Sequence, residues 1–203
     1  MATDVFLTQD AVNKVFQNLT ITLLGLTAPT ASDRSSYAKV RVSYPPEGQP
    51  AWKATDDICF VSVFERDGEY NKPRNVIMQE LDTDNANQET TYTRILEALW
   101  VFYGPSSFDN ARKVKDGIFY ELNRETLAGS NLYMVPSAPN PVRIPEVYQG
   151  QWWERLDLRM LFNEQVTVNL TVPYIKSSEI TVVRENGDES VIEVTEELYE
   201  ATT

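Results

Sequence analysis

The sequence predicts an α+β fold: a mixed, mostly antiparallel sheet with an N-terminal helix and a second amphipathic helix packed on it. Three observations predict it. Residues 91–103 form a long apolar run that turns at Gly104-Pro105 straight into a segment of helical period. Residues 156–162 alternate strictly between apolar and polar, the pattern of a half-buried strand. Near the N-terminus Val12, Val15, Phe16 and Leu19 recur at helical spacing.

The first helix opens at Thr8, whose hydroxyl can cap it while Leu7 packs on Val12 as a hydrophobic staple. Asn13, Lys14 and Gln17 fall on its polar side, and Gly25 is a suitable stop. Residues 27–36 are rich in Thr, Ala, Ser and Pro and read as a loop. Residues 37–44 alternate as a strand, with Val40 and Val42 on one face and Lys39 and Arg41 on the other, until Pro45-Pro46 ends it. A second strand over 57–66 is apolar on both faces and so belongs inside the sheet.

After the Asp67-Gly68 turn, residues 69–90 are polar and hold no sustained period. They read as a projecting loop with a short strand near 76–78. The strand over 91–103 is the longest, and its Tyr92, Trp100, Phe102 and Tyr103 belong to a core rather than a stacking platform. In the helix that follows, Ser106 and Asp109 form a capping-box variant. Phe108, Ala111, Val114, Ile118, Phe119 and Leu122 form its buried stripe, with Lys115 at the margin, while Arg112, Lys113, Asp116 and Asn123 point away. A short helical turn over 124–128 stops at Gly129.

Residues 132–135 make a short strand, and four prolines hold 136–145 extended along the surface. Over 152–162, Leu156, Leu158, Met160 and Phe162 face one way, and Arg155, Asp157 and Arg159 the other. Such a charged row is a solvated sheet face in most proteins; in a ring subunit it can face a neighbour. A further strand over 166–172 closes at Pro173. Beyond it, Ile180, Val182 and residues 191–194 flank the turn signal Asn186-Gly187, so a hairpin fits. Seven acids face only Arg184 from there onward, and a mobile acidic end fits equally. The expected division is therefore a compact domain over 1–178 and an acidic segment over 179–203.

Composition narrows the function. The chain has 203 residues, 42% of them hydrophobic, enough for one core without staples. The lone Cys59 sits in an apolar run and reads as a buried thiol in a reducing compartment. Histidine is absent, which removes Ser-His and Cys-His nucleophiles and most zinc sites. No phosphate-cradling glycine loop occurs, and Asp82, Asp84 and Asn85, the nearest approach to a calcium loop, lack its glycine and terminal glutamate. The residues thus offer no catalytic, cofactor or metal site. A net charge of −12 opposes binding to duplex DNA through the general surface. No secretory leader or membrane span is legible, so no membrane partner is expected.

Several motifs together resemble the phage neck terminator family. They are Val5-Phe6-Leu7-Thr8-Gln9-Asp10-Ala11-Val12, Gly48-Gln49-Pro50-Ala51-Trp52, Asp56-Asp57-Ile58-Cys59, and Tyr103-Gly104-Pro105 with Asp109-Asn110-Ala111-Arg112. Val135-Pro136, Pro141-Val142-Arg143, Gly150-Gln151-Trp152-Trp153-Glu154-Arg155 and Thr171-Val172-Pro173-Tyr174-Ile175 extend the likeness to about residue 180. The acidic segment beyond departs from the pattern.

The resemblance implies a structural protein of the virion, in long-tailed bacteriophages, tail-terminator-like in architecture and not an enzyme. It implies a ring, six-membered, that closes the tail tube and joins it to the neck with a channel left for DNA. The partners would be other copies of the chain, a neck or connector protein above and the tube protein below, at the neck–tail junction of a particle assembled in the host cytoplasm. Arg112, Lys113, Arg155 and Arg159 are the candidate subunit contacts. A head-completion or baseplate component is the alternative within the virion, and a carboxylate-based hydrolase the alternative outside it.

Overall fold

The computed structural model describes residues 4–30, 33, 35–45, 48, 50–82, 84–137 and 139–173, and the backbone alone of 177–183 and 189–195. The chain divides into two compact units. The larger comprises Phe6–Lys72 and Thr93–Gln165; the smaller comprises Met1–Val5, Pro73–Tyr92 and Val166–Thr203.

In the larger unit, helix α1 (Gln9–Leu23) begins as its sequence requires, with the Thr8 side chain accepting from the Ala11 N–H at 3.3 Å. Gly25 takes φ +70°, and the Leu26 and Gly25 N–H groups close on the Ile21 and Thr22 carbonyls, a Schellman stop. Val12, Phe16 and Leu19 are buried, as is Ile21. Gln17 is not on a polar side: it is buried, and its amide donates to the Val40 carbonyl at 2.8 Å.

Residues assigned to the loop and the first strand are partly helical. Helix α2 (Ser35–Lys39) precedes a three-residue strand β1 (Val40–Val42), so the strand is shorter than its alternation suggests. Arg41 is buried too, its guanidinium donating to the Ala38 and Pro50 carbonyls at 2.7 and 2.6 Å.

β1 pairs parallel with β2 (Ile58–Glu65), which pairs antiparallel with β4 (Asn85–Tyr103). β4 neighbours β9 (Arg155–Pro173), whose far side carries β5 (Leu132–Met134) and β6 (Val142–Arg143). The sheet is therefore mixed and mostly antiparallel, with β2, β4 and β9 inside it. The segments read as two strands over 152–162 and 166–172 are one strand from Arg155 onward.

Register puts Cys59, Val61 and Val63 opposite Phe102, Trp100 and Ala98. With Leu156, Leu158, Met160 and Phe162 they form one buried face, covered by α1. Phe16 meets the Trp100 and Phe162 rings edge-on at 5.9 and 4.7 Å between centroids, contacts worth about 0.5–1.5 kcal/mol each beyond burial.

The strand-to-helix turn at Gly104 needs glycine twice over. Its φ is +100°, and a Cβ there would lie 2.5 Å from the Asp56 carbonyl oxygen. Helices α3 (Ser107–Ile118) and α4 (Glu121–Ala128) follow. The Ser106–Asp109 capping box does not form. Ser106 makes no side-chain cap, and its own N–H donates to Asp57 Oδ1 at 2.8 Å.

Ala111, Val114 and Ile118 are fully buried, but Phe108, Phe119 and Leu122 are 48%, 42% and 74% exposed. The helix ends at Ile118 and the chain redirects at Phe119-Tyr120, so later residues leave the stripe. Phe108 sits in the first turn, with the Arg112 guanidinium 6.0 Å from its ring.

In the smaller unit, the short strand expected near 76–78 is present and longer than expected, and the rest of 69–90 is not a projecting loop. A single 3-10 turn (Glu69–Asn71, still in the larger unit) leads to β3 (Asn75–Glu80), which pairs antiparallel with the start of β4. Asp82 closes this hairpin: its Oδ1 accepts from the Asp84 and Asn85 N–H groups, both at 2.9 Å, and these bonds lower its pKa. Arg74 lies over the Tyr92 ring at 3.8 Å. Val5 bridges Thr167 through two backbone hydrogen bonds of 2.8 and 3.0 Å. The backbones of β10 (Ser177–Val183) and β11 (Glu189–Thr195) pair antiparallel. The Asn186-Gly187 turn and the acidic end beyond residue 195 lie outside the described residues.

Candidate assembly surface

Strand alternation gives the larger unit's sheet a second face, which α1 and α3 do not cover. Phe60, Ser62 and Phe64 of β2 register with Val101, Leu99 and Glu97 of β4, and Arg155, Asp157, Arg159 and Leu161 of β9 share that face by parity. Phe60, Leu99, Val101 and Leu161 are only half-buried, and Phe64 is 42% exposed. One end of this face is closed by side chains; farther along, its apolar residues are half-buried or exposed.

Arg155 organises the closed end. Its Nε and one terminal nitrogen donate to the two oxygens of Asp157 at 2.7 and 2.9 Å, and its other terminal nitrogen donates to Glu146 at 3.1 Å. Asp157, expected among solvated charges, is buried, and the paired fork of bonds is what makes that burial tolerable. The hydrogen bond to Asp157 is also the main reason the guanidinium holds its proton more firmly than usual. Tyr103 donates to the other Glu146 oxygen at 2.9 Å; burial first, and that bond second, push the phenol pKa up to about 12.

Above this node, Trp52, Phe60, Tyr103 and Trp153 make edge-on and tilted ring contacts at 5.1–6.4 Å, with the Arg41 guanidinium 5.6 Å from the Trp52 ring. Trp153 comes from a hairpin that the alternation pattern missed, β7 (Glu146–Tyr148) and β8 (Gln151–Trp153). Gln149 and Gly150 both have positive φ, +51° and +75°, the two-residue turn that suits the twist of a hairpin. The glycine at 150 was its one visible signal.

Farther along the face, the buried Glu97 receives Arg66 at 2.8 Å and lies 3.6 Å from Arg159. Arg159 itself is 59% exposed. Arg112 and Lys113 are exposed on α3, which packs on α1 beside the covered face. The structure therefore brings Arg155 and Arg159 together on the second face and leaves Arg112 and Lys113 on the helical side.

Among the described residues no three acidic or cysteine side chains converge as a metal site, and no helix is long and apolar enough to cross a membrane. Cys59 is buried, which pushes its thiol pKa well up. The arrangement has the features of a docking surface: half-buried apolar rows, fixed charges and a braced hairpin. No curated protein matches the chain. A family model described as phage neck terminator protein matches residues 10–188. That is most of its length, and the chain belongs to the phage neck terminator family, structural proteins of the virion.

Proposed function

We propose that this chain is the ring subunit that closes the tail tube and joins it to the neck, six copies surrounding a channel for DNA. The observation that carries the reading is the second sheet face. A neck terminator chain in which, among the described residues, no helix covers half-buried Phe60, Leu99, Val101 and Leu161 and exposed Phe64 has a surface suited to a neighbour. Arg159 and the Arg155 node lie on that face, whereas Arg112 and Lys113 lie on the helical side, so a ring contact would use one pair from each of two subunits. A net charge of −12 suits a channel that DNA must pass without sticking. The neck or connector protein above and the tube protein below would be gripped by the β3–β4 hairpin and by the acidic segment over 179–203. The site of action is the neck–tail junction, after assembly in the host cytoplasm.

Native mass spectrometry of the purified chain tests this. A closed six-copy species is the expected result, since a specific contact of at least about 1,000 Å² between neighbours would hold the ring together. A chain that stays monomeric at every concentration would contradict it.

A further inference from the structure

We propose that neighbouring subunits join head to tail through a knob and a groove, the β7–β8 hairpin of one copy entering the space between α4 and β5 of the next. This rests on the ring reading and names the contact within it. The knob is the cross-strand pair Val147 and Trp152, 57% and 73% exposed on the outer side of the hairpin. Its inner side is braced by Trp153 against Trp52 and Tyr103 and by Glu146 against Arg155, so the backbone that carries Trp152 is positioned before any partner arrives.

The groove has a volume of about 430 Å³; Ala128, Leu132, Tyr133, Met134 and Pro136 give it an apolar floor, and Glu121, Arg124 and Glu125 of α4 line the rest. Knob and groove sit at opposite ends of the part of β9 that belongs to the larger unit. The hairpin ends two residues before Arg155, while Leu132 pairs with Glu164. Nine residues of β9 separate the two, roughly 30 Å at about 3.3 Å per residue. A chain's own hairpin cannot reach its groove, so a hairpin seated there belongs to a second copy, and a contact between different patches is of the kind that can close into a ring.

Charge favours the same occupant. Two copies, each of net charge −12, repel, and Glu121 and Glu125 at the groove would repel a segment bearing negative charge. Residues 147–153 (Val, Tyr, Gln, Gly, Gln, Trp, Trp) carry none. A projecting tryptophan entering an apolar pocket is also the usual centre of binding energy in an interface.

The test uses two variants of the full chain, W152A without the knob and A128R with the groove blocked, each checked for native circular dichroism and melting. Sedimentation is measured for each alone and for the mixture. Each variant alone should associate about 30-fold or more weakly than the wild type. The mixture should form dimers and nothing larger, because only one intact knob and one intact groove remain per pair. If W152A forms the same rings as the wild type, the knob is refuted and the ring reading stands. If the wild type is monomeric, the ring reading fails and the contact with it. Should A128R misfold, W152C mixed with A128C gives a second reading, in which absence of an intermolecular disulfide would refute the contact.

Discussion

Arg155 grips Asp157 with two parallel hydrogen bonds, of 2.7 and 2.9 Å, from two residues away on the same strand. Side chains at that spacing share a sheet face, so the pair forms without help from another element. The same guanidinium reaches Glu146 and ties the β7–β8 hairpin to the start of β9. Arg155→Ala should leave Asp157 buried without a countercharge and destabilise the fold by about 3 kcal/mol. Arg155→Lys, which keeps the charge but loses the fork, should fall between. Urea unfolding measures both. A loss below about 0.5 kcal/mol for the alanine variant would mean that the pair does not brace the hairpin. Arg155 is therefore unsuitable for a charge-reversal test of subunit contacts, which should use Arg112, Lys113 and Arg159.

The Trp100 indole N–H donates to Thr20 Oγ1 at 2.8 Å, and that hydroxyl donates onward to the Phe16 carbonyl at 2.6 Å. All three residues are fully buried. Thr20→Val keeps the shape but strands the indole donor, at a cost of about 1–3 kcal/mol. Thr20→Ser should retain most of the stability in thermal melts. Equal melting of the valine variant and the wild type would show that the bond is dispensable.

Ile118 and Phe119 are adjacent, yet they should respond differently to truncation. Ile118→Ala removes a fully buried side chain from the core and should cost about 2–5 kcal/mol. Phe119 is 42% exposed, and its alanine variant should cost less than half as much. Similar losses at both positions would contradict the turn placed at Phe119-Tyr120.

Much of this was legible because burial leaves a period. Leu156, Leu158, Met160 and Phe162 alternate because one sheet face is buried, and Trp100 and Phe102 follow the same rule on β4. The rest left no period to read. β3 is exposed or half-buried throughout, so its pairing could not show in polarity. Asp157 is polar by type and buried by partnership, and that partnership is geometric. Leu122 lies beyond the end of α3 and so leaves its apolar stripe, while Phe108 stays exposed in the first turn. Of the assembly surface, the charged row on β9 could be read from the sequence. The aromatic brace around Trp52 and Trp153 could not, because it joins residues about a hundred positions apart.

Tyr103 should make stability sensitive to alkali. Its phenol is protonated in both states below about pH 10, the ordinary tyrosine value, and its contribution is intact there. Between roughly pH 10 and the native value of about 12 the unfolded chain ionises first, so stability falls as pH rises. The loss should be about 1–2 kcal/mol across that window. Tyr103→Phe should make this slope shallower in urea titrations run at successive pH values, the buried Cys59 thiol supplying a part that remains. An unchanged slope would assign the alkaline loss to other groups.

The central claim is that this chain forms the ring between neck and tail tube, and a cryo-EM map of the intact phage particle tests it most directly. Six copies in one closed ring at that junction, with the second sheet face of each subunit against its neighbour, is the expected result. Placement of the chain in the baseplate or on the capsid, or single copies that do not touch, would contradict it.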